Sequence, residues 1–199
     1  MARESLSILK MKVLLGLLFS IISITVLYSQ DLKQKREKGL QFNVQGIAMA
    51  VGNTGEVDNM PEDLIMHIRN SQLFGVNLEA HYRFDEYWIV GLGTGYEYVN
   101  QPAILYFPVY LSLRSSIGGD KLEATIFRLD FGTHFGDLAK NGVLLRAGIG
   151  YRIPVFKKLC LNIDAVVSYQ GLRKEFDLQP GVIQYYNMFG FGIGVGFEL

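Results

Sequence analysis

The 199-residue chain carries 19 basic and 19 acidic residues, so its formal net charge is zero and nothing points to nucleic acid as a partner. A single cysteine, Cys160, excludes an internal disulfide and any cysteine-built zinc site. Twenty-two glycines against 5 prolines, with 13 Phe and 11 Tyr, suit strands better than helices.

The chain begins with a targeting pattern. In "KMKVLLGLLFSIISITVLYSQ", Lys10 and Lys12 form a charged region before the apolar run from Val13 to Leu27, and Ser29 offers a small residue for cleavage. Met11 is a candidate start. A membrane anchor would need about 20 apolar residues, so the expectation is a signal peptide over 1–29. No cysteine follows the run, which excludes a lipoprotein anchor. Residues 30–40, including "DLKQKREKG", read as a polar linker, and 41–199 as one β domain.

Period-2 alternation predicts eight strands, at about 41–52, 72–84, 88–99, 103–117, 122–136, 143–155, 159–170 and 182–199. In the first, Asn43 and Gln45 oppose Phe42 and Val44, and the pattern blurs near Ile47. In the second, Phe74, Val76, Leu78, Ala80, Tyr82 and Phe84 share one face, with Asn77, Glu79, His81 and Arg83 on the other. Phe127, Leu129 and Phe131 oppose Arg128 and Asp130 in the fifth; Ile163, Ala165 and Val167 oppose Asn162, Asp164 and Ser168 in the seventh.

The connections alternate as well. Those at 85–87, 118–121 and 156–158 are short. The others include two long ones, 53–71 and 171–181. Short turns at one end and longer loops at the other describe an up-and-down barrel in an outer membrane. The rival is a soluble lipocalin-type barrel, with its apolar face inward. An eight-stranded interior is only just wide enough for side chains to fill. About a dozen aromatics on the apolar face, Trp88, Tyr96, Phe127, Phe131 and Phe191 among them, would overcrowd it. Facing lipid, they are unconstrained.

The glycines follow from the same crowding. A three-residue hairpin at 85–87 would set His81 opposite Gly91, Glu79 opposite Gly93 and Asn77 opposite Gly95. The turn at 156–158 would set Asp164 opposite Gly150 and Asn162 opposite Arg152. Small residues then face large ones across the lumen. Gly190, Gly192, Gly194 and Gly196 should likewise make room for Asp164, Asn43 and Gln45, and permit the bend that closure needs. The inward charges Glu79, His81, Arg83, Glu97, Arg114, Arg128, Asp130, Arg146, Arg152, Asp164 and Glu198 balance in sign. Buried charges must pair, so the expectation is an interlocked polar plug. A conducting channel usually needs about 16 strands.

The last strand, "NMFGFGIGVGFEL", resembles the terminal signal of outer-membrane barrels, polar-x-Gly-x-x-aromatic-x-aromatic. Gly194, Phe197 and Leu199 take its glycine and two hydrophobic positions; Leu199 is not aromatic, and Gly192 stands at the polar one. Together with "HYRFDEYWIVGLGTGYEY", "LYFPVYLSLRSS" and "AGIGYRIPVFKKLCLNIDAVVSY", it makes the chain similar to the small outer-membrane β-barrel domain family, which includes OmpA-, OmpX- and PorT-like proteins. The resemblance covers roughly Gln41 to Leu199. It implies an outer-membrane location, lipid and the barrel-assembly machinery as partners, and a further envelope protein as a possible one. Because the fold hosts adhesins, structural barrels, secretion components and lipid-modifying enzymes, it does not select a function.

For an enzyme, His134 with Asp137 and Ser168 would be the candidates near the outer rim. A histidine within a lumen charge network is the commoner arrangement, and the His-x-Ser order of the deacylases is missing. Asp63 and His67 would share a face of a short helix in the first long loop, yet their spacing matches no metal motif. "GLGTGY" lies within a strand, so it is no nucleotide loop. No cofactor or metal site is expected. The reading is a non-enzymatic outer-membrane barrel with a closed lumen, structural or binding through its outer loops. A PorT-like secretion or assembly component and a lipid-modifying enzyme are the alternatives. Intact-mass analysis of protein purified from outer membranes should give a mature chain starting near Gln30. A full-length chain in the inner membrane would refute that processing.

Overall fold

The computed structural model describes residues 38–53, 71–100, 103–119, 121–136, 142–156, 159–175 and 183–199. The expected signal peptide, residues 30–37 of the linker, Asp63, His67 and Asp137 lie outside these. The described residues form eight strands: β1 (Gly39–Asn53), β2 (Ser71–Arg83), β3 (Trp88–Val99), β4 (Ile104–Ile117), β5 (Ala124–Phe135), β6 (Gly142–Pro154), β7 (Cys160–Glu175) and β8 (Ile183–Glu198). Each pairs antiparallel with its sequence neighbour, and β8 pairs back with β1, closing a barrel. The strands run 12 to 16 residues, longer than the roughly 9–11 that cross a bilayer.

Local chemistry sets the turns. After β2, the Asp85 carboxylate accepts hydrogen bonds from the backbone N–H groups of Tyr87 (2.7 Å) and Trp88 (2.6 Å), an Asx turn that fixes the hairpin. After β4, Gly118 and Gly119 adopt φ of 119° and 69°, a conformation that side chains oppose. These two turns, the β6–β7 turn and the two termini of the described barrel, at Lys38 and Leu199, share one end. Leu199 extends the closure beyond β8. Its N–H donates to the Phe42 carbonyl (2.8 Å), and the Phe42 N–H donates back to Leu199 (3.0 Å).

The expected register holds: His81 faces Gly91, Glu79 faces Gly93, Asn77 faces Gly95 and Asp164 faces Gly150. Burial alternates along the strands, in the reverse sense to a soluble barrel. Leu92, Phe131 and Phe191 are exposed on the outside, while Arg146, Arg152 and Asp130 are fully buried inside. An apolar exterior around a charged interior is the arrangement lipid requires.

Two expectations change. β7 continues to Glu175 in pairing with β8, so the last hairpin has less loop than 171–181 implied. The lumen face of β1 also turns apolar at its far end. Ile47, Met49 and Val51 point inward, and Ala48 and Ala50 outward, which is why the alternation blurs at Ile47. Consequently only part of the terminal glycine series serves polar neighbours. A Cβ at Gly194 would meet the Gln45 amide and one at Gly196 would crowd Asn43 and Gln45. At Gly190 the neighbours are Val51, Met49 and the Ser168 hydroxyl, and at Gly192 they are Ala48 and Met49. Gly192 is the tightest of the four, since a Cβ there would strike the Ala48 carbonyl oxygen of β1 itself.

Arginine at Leu92, on the lipid face of β3, should cost about 2–4 kcal/mol in a vesicle folding titration if it lies at midplane depth. Valine at Gly192 should cost about 1–3 kcal/mol by overpacking the β1–β8 seam. An unchanged titration for Leu92→Arg would reverse the assignment of inside and outside.

Candidate functional site in the barrel lumen

Three layers fill the lumen. The middle one is built around Glu79 on β2, which is fully buried. Its carboxylate accepts hydrogen bonds from Asn43 Nδ2 (2.6 Å), Tyr110 Oη (2.8 Å), Arg128 Nη2 (2.8 Å) and Arg114 Nη2. His81 Nε2 lies 3.7 Å from it. Arg128 on β5 is the second hub. It donates to Asp130 through Nε (3.0 Å) and Nη2 (2.6 Å), and through Nη1 to Gln45. Asp164 lies 3.5 Å from Nη1 and also accepts from Gln45 Nε2 (2.5 Å). Ser112 donates to Asp130 (2.8 Å). β1 and β5 are on opposite sides of an eight-strand ring, so the Gln45–Arg128 contact spans the full diameter.

Nearer the loop end, Arg146 pairs with Glu97 at 2.7 Å, and its guanidinium lies 5.8 Å above the Tyr110 ring. Tyr106 donates to Gln170 (2.6 Å), whose amide is 3.5 Å from Glu97. Around this pair packs an apolar cluster that includes Met49, Val51, Leu73, Val99, Ile104 and Met188.

At the turn end, Arg83 donates to the carbonyls of Asp85 (3.0 Å), Glu86 (2.5 Å) and Gly119 (2.7 Å). Arg152 donates to those of Leu122 (2.7 Å) and Lys121 (2.8 Å). Among the described residues, both secure main-chain carbonyls of the turns. Glu198 joins Asn162 (3.1 Å) and Arg114 (3.6 Å) between the two lower layers.

The structure thus brings Glu79, His81, Arg114, Arg128, Asp130 and Asp164 together, and sets Glu97 with Arg146 in a separate pair. Sequence reasoning did not place Tyr106, Tyr110, Ser112 and Gln170 in the network. Tyr110 shares its strand parity with Ser112 and Arg114, and that signal was available. Of the catalytic candidates, His134 and Ser168 are described, and they have different partners. His134 faces Gly142 across the strands and stacks edge-on against Tyr106 at 4.8 Å, whereas Ser168 faces Arg146 and contacts the Met49 sulfur (3.8 Å). Gly194 points into the lumen, and Phe197 and Leu199 are exposed on the lipid face.

No protein-family model and no curated protein sequence matches the chain. Among solved structures, it is similar to Neisserial surface protein A, at 13% identity over 78% of this chain and 95% of that one, with a TM-score of 0.51. It is also similar to outer membrane protein AlkL (12% identity, 83% and 92% covered, TM-score 0.49) and to OprG from Pseudomonas aeruginosa (14%, 82% and 98%, 0.47). The first likeness shows the fold, and the apolar exterior with its charged interior carries the same meaning independently. The chain is an outer-membrane β-barrel protein of the small, eight-stranded kind.

Burial makes the network's members unequal. Both amide atoms of Asn77 are buried without a hydrogen-bond partner among the described residues. Removing Glu79 takes a carboxylate partner from two buried arginines, whereas removing Asn77 breaks no side-chain hydrogen bond among the described residues. Glu79→Ala should therefore destabilise by about 3–5 kcal/mol, and Asn77→Leu should stay within about 1 kcal/mol of native or gain stability. Equal losses in urea titrations from vesicles would contradict this ranking.

Proposed function

We propose that this is a non-catalytic barrel whose lumen is closed, and that its role is structural or binding, exercised through the segments that join strands at the end opposite the termini. The observation that carries the reading is the bridge from Gln45 on β1 to Arg128 on β5, held on both sides by Glu79, Asp130 and Asp164. A guanidinium fixed at the centre of so narrow a barrel leaves no continuous path past it. The apolar cluster above it adds a second obstruction, because ions do not cross a packed apolar layer. With the interior given over to packing, the surface left for recognition is the outer rim.

Two measurements test the reading. The mature protein in planar bilayers should show no steady ion conductance, and a stable open level would refute the closed lumen. Crosslinking in intact envelopes should place partner contacts in 54–70, 137–141 or 176–182. Contacts confined to the turn end would refute the outer-rim role.

A further inference from the structure

The turn end has a closure of its own, distinct from the charge network. Arg83 and Arg152 rise from β2 and β6, on either side of the β3–β5 stretch, and point into the lumen, at 1% and 0% exposure. They donate to the main-chain carbonyls of Gly119, Lys121 and Leu122, in the connection between β4 and β5. Two inward-facing side chains reach that connection only if it bends over the mouth. The left-handed Gly118 and Gly119 provide the bend, Ser116 Oγ adds a second donor to the Gly119 carbonyl (3.2 Å), and Leu122 is buried at 6% exposure. Arg83 also holds Asp85 and Glu86 of the neighbouring turn, so one guanidinium ties two hairpins together.

We propose that Arg83 and Arg152 form a latch that holds the β4–β5 connection across the turn-side mouth, sealing the lumen from the periplasm until the latch opens. This rests on the closed-lumen reading above and adds where the seal gives way. Arg128 is held by three carboxylates, whereas Arg152 has neutral carbonyls as its hydrogen-bond partners. Hydrogen bonds between two ionised groups are the stronger kind. The Arg152 side of the latch therefore opens before the network does, as a local event that leaves the barrel folded.

The chain carries its own reporter. Cys160, its one cysteine, faces the lumen on β7 opposite Pro154 and Glu198, beside Asn162 and Arg152, at 2% exposure. A charged, membrane-impermeant maleimide reaches it from the periplasmic side only through the open mouth. The test is the labelling rate of Cys160 in the full barrel folded in vesicles, with folding read independently by heat-modifiable gel mobility. Native protein should label far more slowly than the urea-unfolded chain.

Arg83→Leu with Arg152→Leu should label at least about tenfold faster than native while still folded, since hydrogen bonds from a charged donor shift an opening equilibrium by that factor or more. Gly119→Val strains the left-handed turn, leaves the lumen arginines in place, and should also accelerate labelling; it serves if the double variant does not fold. Lys121→Gln keeps the carbonyl and should label at the native rate. Folded latch variants that label no faster than native would overturn the latch alone. Fast labelling of the native protein, with conductance in bilayers, would overturn the closed lumen along with it.

Discussion

The contact of Arg128 with Glu79 is the one on which the rest of the interior depends. Each group is buried, and each has its charge offset by the other and by further buried neighbours, most of them on other strands. Arg128 takes Gln45 from β1, Asp130 from its own strand and Asp164 from β7; Glu79 takes Asn43, Tyr110 and Arg114. Such a set is satisfied only when the ring is closed and in register. A slip of one residue between any two strands would send these groups into lipid and the aromatics into the lumen. The network thus acts as a check on closure as well as a filling, and the glycines opposite its members follow from the space it occupies.

The interior is graded along its axis. Arginines bound to turn carbonyls lie at the end with the termini, paired charges lie in the middle, and methionines, leucine and valines gather toward the loop end around the single pair of Glu97 and Arg146. The gradient gives each layer a different cohesion. Charge pairs are directional and tolerate little displacement, whereas an apolar layer containing Met49 and Met188 can repack. The loop end therefore stands on the more adaptable layer, and the turn end stands on hydrogen bonds from buried arginines.

Most of the architecture was legible because lipid imposes a strict period. Phe74 to Phe84 and Ile163 to Val167 alternate with polar partners, and the pairings of Glu79 with Gly93 and Asp164 with Gly150 followed from turn length alone. What was not legible arose where the lumen stops being polar. Ile47, Met49 and Val51 face inward among other apolar groups, so alternation in hydrophobicity vanished although alternation in direction persisted. Tyr106 and Tyr110 were obscured in the same way, as aromatics among outward aromatics, and only strand parity distinguishes them. The split of the arginines was beyond sequence because it depends on where the β4–β5 connection folds. Arg83 and Arg152 look like Arg128 in pattern, but differ in having turn carbonyls within reach.

The most direct test is a double-mutant cycle on Glu79 and Arg128, using Glu79→Leu, Arg128→Met and the pair together, with stability read by urea titration from lipid vesicles. A network in which each charge is tolerated because of the other predicts a coupling of about 2–5 kcal/mol, with the double variant closer to native than the sum of the single losses. Additive losses, with coupling near zero, would contradict it and reduce the lumen charges to independent occupants of the barrel.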